Sequence, residues 1–153
     1  MVQELLEVAL LAALPVSEVR GALPYGVLVR NLPFPWVVAV SFVFNLLPFF
    51  LVMFALSFFL KFLLRWEWFG NFWSKYITGA QNRFKNYEKW GKWGIMLFVG
   101  IPLPFTGVWT GSVVCFLVGL SWRDSLPFIL GGLAMATILV SLAVLGGNYL
   151  FMR

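Results

Sequence analysis

Long apolar runs, separated by short polar and proline-rich stretches, dominate the order of residues along this chain. Three segments, residues 31–60, 93–122 and 125–152, contain no Asp, Glu, Lys or Arg. Each is longer than the roughly 20 residues that a helix needs to cross the hydrocarbon layer of a bilayer. The pattern therefore predicts an all-α integral membrane protein that forms a single membrane domain over residues 1–153.

Two segments have the pattern of uninterrupted transmembrane helices. Residues 36–60 begin with Trp36, which suits one membrane interface, and are followed by Lys61 at the other. Residues 125–150 follow Ser121 and Asp124, either of which can cap a helix, and contain small residues such as Gly131 that allow close helix packing. We expect one spanning helix from each segment.

Two other apolar segments contain helix-breaking residues near their centres. Residues 5–30 carry Glu18, Arg20, Gly21 and Pro24, so we expect a helix, a break within residues 17–24 and a shorter helix. A straight helix would place two ions in lipid and lose backbone hydrogen bonds at Pro24, which favours a re-entrant hairpin. A fully spanning segment is the alternative.

The second interrupted segment is residues 93–120. Its centre, residues 100–111, contains Pro102 and Pro104 together with Gly100, Gly107 and Gly111. Because proline and glycine disfavour a continuous helix, we predict a second re-entrant hairpin here.

Between the two halves, residues 61–92 differ in character. This segment contains seven basic and two acidic residues, which alternate with many aromatic side chains. Such a mixture is typical of an amphipathic helix that lies in the headgroup layer. We therefore predict an interfacial helix as the linker.

The two halves also resemble each other. Residues 23–27 are similar to residues 103–108 with one inserted residue, and each lies in a broken segment followed by a spanning one. A hairpin plus one span crosses the membrane once, so the second copy enters from the opposite face and the two form an inverted repeat, as in many secondary transporters. The linker and Arg123 carry eight basic residues on one side, against Arg30 and Arg153 on the other. The linker should therefore be cytoplasmic and the termini outside.

Composition narrows the range of functions. The chain is 61% hydrophobic and 11% charged, against roughly 25% charged in ordinary soluble domains. Its net charge of +5 comes from basic residues beside apolar spans, which indicates a membrane surface and not a nucleic acid as the partner. With no histidine and one cysteine, Cys115, we expect no metal, no other cofactor and no enzymatic activity.

The candidate site residues lie in the two broken segments. Glu18 and Arg20 are the main candidates, because ionisable groups at membrane depth are costly and mark function. They can pair with each other or with the second hairpin; a carboxylate in a partly dry site suits proton exchange, and a guanidinium matches a phosphate or carboxylate. The remaining substrate- or ion-binding candidates are Gly21, Pro24, Asn45, Pro102, Pro104, Thr106, Gly107, Trp109, Thr110 and Gly111.

These motifs resemble those of the prokaryotic small multidrug export protein family, over nearly the whole chain. The hairpin-plus-span plan is also similar to that of the DedA and VTT superfamily, whose members are implicated in flipping or scrambling lipids. By this likeness Glu18 and Arg20 correspond to the acidic and basic hairpin residues, although the second hairpin has no arginine.

The sequence therefore predicts a transporter in the prokaryotic inner membrane. Its expected activity is a proton- or ion-coupled flippase for an amphiphilic anionic, lipid-linked phosphate substrate, acting as a homodimer because few helices enclose little volume. A small multidrug exporter of cationic amphiphiles is the near alternative. An ion channel, an intramembrane enzyme and a structural assembly factor are more distant ones.

Overall fold

The computed structural model describes residues 1–63, 65, 75, 78, 88–103 and 106–151, and within these ranges the regular structure is helical throughout. This confirms the all-α prediction for the described residues. In the described part of the chain, the helices with defined bounds are, in order, α1 (Val2–Ala13), α2 (Glu18–Pro24), a short π-helix (Tyr25–Val29), α3 (Phe34–Leu63), α4 (Glu88–Gly100), α5 (Val108–Val118) and α6 (Trp122–Phe151).

The two long helices, α3 and α6, have 30 residues each. At a rise of about 1.5 Å per residue, each is about 45 Å long and exceeds the hydrocarbon layer. Their segments Phe34–Phe62 and Trp122–Gly147 both have a mean hydropathy of 2.5, so both are long and apolar enough to cross a membrane. The prediction of two helices with the length and composition needed to span a membrane is confirmed.

The outer faces of the long helices are themselves apolar. Phe58 on α3 is 77% exposed and Leu142 on α6 is 64% exposed, and other large apolar side chains on both helices are also exposed. Soluble monomers rarely expose so large a contiguous apolar surface. A hydrocarbon solvent around α3 and α6 accounts for it.

Helices α1 and α2 form an antiparallel hairpin. The Glu7 carboxylate on α1 accepts a hydrogen bond of 2.7 Å from the Tyr25 hydroxyl and lies 2.5 Å from a guanidinium nitrogen of Arg30. In one continuous helix, Glu7 and Arg30 would be about 35 Å apart. The chain therefore turns back on itself between them.

The turn of this hairpin lies earlier than the sequence predicted. Residues 17–24 were expected to hold the break, but α2 is helical from Glu18 to Pro24 and the turn occupies residues 14–17. The helix continues past Pro24 as a π-helix, in which the Arg30 N–H donates to the Tyr25 carbonyl five residues back at 3.1 Å. The helical stretch therefore does not end at Pro24, and the π-helix begins at the residue that follows the proline.

The second half of the chain has a similar order of elements. Helices α4 and α5 are separated by residues 101–107, and α6 follows α5 after a turn with Gly119 in the left-handed conformation. This interruption agrees with the break expected from Pro102. Most of the predicted interfacial helix lies outside the described residues, as does Pro104.

The two halves pack crosswise. Within each half, the first short helix packs on the long helix: α1 on α3, and α4 on α6. The second short helix contacts both long helices and so reaches the other half: α5 packs on α3 as well as on α6, and α2 packs on α6 as well as on α3. The shared core between them includes Leu23, Phe49 and Ile129, each fully buried. This exchange brings the turn of the first hairpin against the interruption of the second.

Candidate functional site

The site lies where the turn at residues 14–17 meets the interruption at residues 101–107. The indole N–H of Trp109, in the first turn of α5, donates to the main-chain carbonyl of Ala13 at 3.0 Å. Ala13 is the last residue of α1. The two helix ends are therefore in direct contact, and Glu18 and Arg20 follow immediately on α2.

Arg20 is bonded to the end of α4. One terminal nitrogen of its guanidinium donates to the carbonyl of Leu103, and the other lies 3.1 Å from the carbonyl of Ile101 and 3.5 Å from that of Val99. The last carbonyls of a helix lack intrahelical partners and carry partial negative charge, which a cation satisfies. Arg20 therefore caps the carboxyl end of α4 from another part of the chain.

Glu18 is bonded to the start of α5. Its carboxylate accepts from the main-chain N–H of Trp109 at 3.4 Å, and the residue is only 6% exposed. The N-terminus of a helix attracts an anion because its first N–H groups are unpaired and its dipole is positive there. Glu18 and Arg20 thus contact opposite ends of the same interruption.

Glu18 adopts a backbone conformation that side-chain-bearing residues rarely use. Its φ is +49°, in the left-handed region, where a residue other than glycine costs about 1–2 kcal/mol. Such strain persists only where surrounding contacts determine the conformation. Here the bond to α5 and the adjacent turn hold the carboxylate against the helix end.

The sequence left two arrangements open: Glu18 and Arg20 could pair with each other, or each could contact the second hairpin. In the structure, both contact the second hairpin. The ion pairs among the described residues join Glu4 to the N-terminus and Glu7 to Arg30, and neither includes Glu18 or Arg20. Arg20 instead faces neutral carbonyl groups, and no carboxylate of the described residues lies within 4 Å of its guanidinium.

Two threonines complete the interruption. The Thr106 hydroxyl lies 2.8 Å from the carbonyls of both Ile101 and Leu103 and accepts from Arg20 at 3.1 Å. The Thr110 hydroxyl accepts from the N–H of Gly107 at 3.1 Å, as a cap of α5. Both predicted hydroxyls therefore form hydrogen bonds with backbone groups of the interruption, close to Glu18 and Arg20.

Asn45 on α3 lies beneath the first turn and is fully buried. With the amide oriented to satisfy both neighbours, its nitrogen donates to the Ala12 carbonyl at 3.2 Å and its oxygen accepts from the Val19 N–H at 3.1 Å. One side chain thus joins the end of α1 to the start of α2. Asn45 supports the hairpin and does not line the cavity beside Glu18.

The remaining predicted residues have different positions. Gly21 lies on α2 beside the Ser17 side chain, and Gly111 packs where a Cβ would come within 2.4 Å of Val99. Pro24 and Pro102 line a groove described below. Pro104 lies outside the described residues.

Two cavities meet at Arg20. The first has a volume of about 310 Å³ and is lined by Pro15, Val16, Ser17, Glu18, Arg20, Thr106, Trp109 and Thr110. The second, of about 460 Å³, is a groove between α2 and α6 lined by Arg20, Pro24, Leu28, Pro102, Leu139, Val140, Ala143, Val144 and Gly147. Of the lining residues that the structure describes, Arg20 is the one that both cavities share.

Sequence reasoning missed two sets of residues at the site. The first comprises the main-chain carbonyls of Ala13, Ile101 and Leu103, which any residue type can supply and which carry no sequence signal. The second comprises the α6 side chains of the groove, which read as ordinary spanning-helix residues. Only the folding of α2 onto α6 brings them to Arg20.

Comparison with known families gives one match. Residues 18–139 match the family described as "Putative small multi-drug export protein". The chain belongs to this family. The match begins at Glu18 and includes Arg20, both threonines and Trp109. It therefore covers both charged residues of the site and the residues to which they are hydrogen-bonded. No curated protein and no solved structure matches the chain.

Membership of the small multi-drug export protein family, together with the two long apolar helices, indicates a membrane protein that acts as a transporter in general terms. The similarity to the DedA and VTT superfamily stays a prediction.

Proposed function

We propose that this protein transports an amphiphilic molecule with an anionic group, such as a lipid-linked phosphate, across the prokaryotic inner membrane and couples this transport to movement of a proton or another ion. One observation carries the proposal: Glu18 and Arg20 line a cavity at the point where two interrupted segments of a membrane protein meet. Ionisable residues and irregular backbone at membrane depth are characteristic of transport sites.

The proposed membrane arrangement places both short-helix pairs as re-entrant hairpins. Helices α1 and α5 have 12 and 11 residues, and at about 1.5 Å per residue neither reaches the ~30 Å of the hydrocarbon layer; the described part of α4 has 13 residues. The crosswise packing of α2 on α6 and of α5 on α3 supports an inverted repeat. In this arrangement the basic linker is cytoplasmic, the termini face outward, and a homodimer is the proposed assembly.

Arg20 is the proposed contact for the anionic group. Its hydrogen-bond partners are three carbonyls and one hydroxyl, none of which carries a formal charge. A phosphate or carboxylate forms shorter and stronger bonds to a guanidinium than a carbonyl does. An incoming anion can therefore replace some of these partners and draw Arg20 away from the end of α4.

Glu18 is the proposed coupling residue. As a carboxylate it is stabilised by the N-terminus of α5; once protonated it loses the favourable interaction with that helix end. Protonation therefore weakens one of the contacts between the two hairpins. This gives a physical link between a proton and the opening of the cavity, without covalent chemistry.

Export of a cationic amphiphile is the second candidate, and a specific observation favours it as well. Glu18 and Trp109 line the same cavity, and a carboxylate beside an aromatic ring is a suitable environment for an organic cation. In that mechanism Glu18 is the counter-ion and Arg20 keeps its contacts to α4.

Reconstitution in liposomes tests these proposals. The wild type should move a labelled polyprenyl phosphate or anionic phospholipid between leaflets, and Arg20→Ala should slow this movement by about tenfold or more, because a bond to a charged group contributes about 1.5–3 kcal/mol. Arg20→Lys keeps the charge but loses the planar fork, so it should retain intermediate activity. Unchanged movement in Arg20→Ala would exclude the anionic-group mechanism.

The same liposomes separate the alternatives. Uptake of a cationic dye that is lost in Glu18→Gln and retained in Arg20→Ala would favour the cationic exporter. Steady ion conductance without saturable flux would indicate a channel. No flux of any probe would contradict a transport function.

The topology has its own test. On a Cys115→Ala background, single cysteines at Gln3 and Asn31, both exposed, should react with an impermeant maleimide from outside the cell. A cysteine at Arg123 should react only after permeabilisation. Labelling of Gln3 and Asn31 from opposite sides would contradict the re-entrant first hairpin.

A further inference from the structure

The groove between α2 and α6 has a composition different from that of the cavity beside Glu18. Arg20 is the single charged residue among the described residues that line it, and the others are apolar. Leu28 and Leu139 in its walls are 48% and 41% exposed, so the groove is open at the surface of the helix pair. Its volume of about 460 Å³ is within the usual range for ligand sites, roughly 300–1,000 Å³.

The groove is elongated along α2 and α6. Arg20 and Leu28 lie eight positions apart on one helical stretch, which corresponds to roughly 12 Å. On the facing helix, the lining residues extend from Leu139 to Gly147. A cation is thus joined to an elongated apolar surface that opens to the surroundings of the protein.

We infer that this groove binds the apolar chain of the transported amphiphile while Arg20 holds its anionic group. The inference rests on the proposed function and adds to it a chain-binding site and the residues that set chain-length preference. The ligand class is a single-chain alkyl or prenyl phosphate or carboxylate.

Charge complementarity selects this occupant. A cationic amphiphile would place like charge beside the guanidinium. A spanning helix from a second copy of this chain has no acidic residue over residues 36–60 or 125–150, so it would bury apolar surface but supply no anion to Arg20. An anion with an apolar tail satisfies both parts of the groove.

Ala143 and Gly147 keep the groove open. A Cβ built on Gly147 meets none of the described atoms within 4 Å, so α6 accepts a side chain there, and that side chain enters the space of the groove. A Cβ on the neighbouring Gly146 likewise meets no described atom within 4 Å, but Gly146 does not line the groove. Gly147→Leu and Gly146→Leu are therefore a matched pair of variants.

Binding to the full chain in phosphatidylcholine nanodiscs tests the inference, with dodecyl phosphate and butyl phosphate as competitors of a fluorescent dodecyl phosphate. Gly147→Leu and Ala143→Leu should weaken dodecyl phosphate binding about tenfold or more, since the chain loses the burial of several methylene groups. Butyl phosphate should be affected less than about twofold, and Gly146→Leu should leave both ligands unchanged. The smaller Gly147→Ala and Ala143→Val should act in the same direction if a leucine variant fails to fold.

The other outcomes overturn the inference or the function beneath it. Suppose that dodecyl phosphate binds wild type and Gly147→Leu with equal affinity but binds Arg20→Ala more weakly. This result would show that the alkyl chain of the ligand does not lie in the groove, and it would be consistent with the proposed function. Unchanged affinity in Arg20→Ala would overturn the proposed function. A changed oligomeric state in Gly147→Leu, with unchanged affinity, would mean that a second copy occupies the groove and would overturn the inference.

Discussion

Gly107 lies so close to Glu18 that a Cβ on Gly107 would be 2.0 Å from one oxygen of the Glu18 carboxylate. The backbone of Gly107 is extended and within reach of any residue type, so the requirement for glycine is the space taken by the carboxylate. This contact determines how closely α2 approaches the start of α5.

The substitution Gly107→Ala should therefore displace Glu18 and weaken the contact between the two hairpins. We expect a loss of about 1–3 kcal/mol in the free energy of unfolding, typical of overpacking, together with slower transport. Thermal unfolding in detergent measures the first effect. Gly94→Ala on α4 is the control, because a Cβ there meets no described atom within 4 Å and alanine favours a helix. Equal stability of the two variants would contradict the tight contact.

Asn45 and Ser41 offer a comparison on one face of α3. Both side chains are fully buried, but Asn45 bridges two backbone groups of the first hairpin, whereas the Ser41 hydroxyl has no hydrogen-bond partner among the residues that the structure describes. Asn45→Ala should cost about 1–3 kcal/mol because it leaves the Ala12 carbonyl and the Val19 N–H unsatisfied. Ser41→Ala should be neutral or slightly stabilising. Chemical unfolding in mild detergent measures both, and similar losses would refute the bridging role.

Close packing of α4 on α6 depends on Gly132. A Cβ there would lie 2.6 Å from the main-chain oxygen of Met96, an atom that cannot move without moving the helix. Gly132→Ala should therefore separate the two helices and reduce the free energy of unfolding by about 1–3 kcal/mol. Gly146→Ala on the same helix should have no such effect, since its Cβ has open space. A Gly132→Ala protein as stable as wild type would show that the helices pack less closely.

Glu18→Gln separates coupling from assembly. The amide oxygen of glutamine can still accept from the Trp109 N–H, so the variant should fold, but it has no proton to exchange at this position. Transport should become independent of an imposed proton gradient. Flux of the labelled substrate with and without the gradient measures this, and Glu4→Gln, at the N-terminus outside the site, serves as the control. A gradient dependence equal to that of the wild type would remove Glu18 as the coupling residue.

Several features of this protein could be predicted from the sequence, and each has a simple physical cause. Charge-free segments longer than a bilayer is thick predict spanning helices, since only helices satisfy their own backbone in lipid. The interruption around Pro102 was predictable because proline and glycine disfavour helix. The choice of Glu18 and Arg20 as candidate site residues followed from the cost of placing an ion in an apolar segment.

The turn of the first hairpin was the local feature that sequence reasoning misplaced. Proline at position 24 suggested a break, but the helical stretch continues past it as a π-helix, and the chain turns at residues 14–17 instead. Asn45, on another helix, bonds both sides of that turn. A contact supplied from more than 25 residues away leaves no local signal.

By itself, the sequence determined that the protein lies in a membrane, that it has two long helices, and which residue types are available for chemistry. Hydropathy and the effect of proline and glycine on a helix depend on neighbouring residues in the sequence, so these features can be predicted from it. The tertiary structure decided what those residues do: Arg20 and Glu18 contact the two ends of one interruption, and Arg20 joins two cavities. The unpaired carbonyls and N–H groups at an interrupted helix must find partners, and which partners they find depends on how α2 packs between α3 and α6.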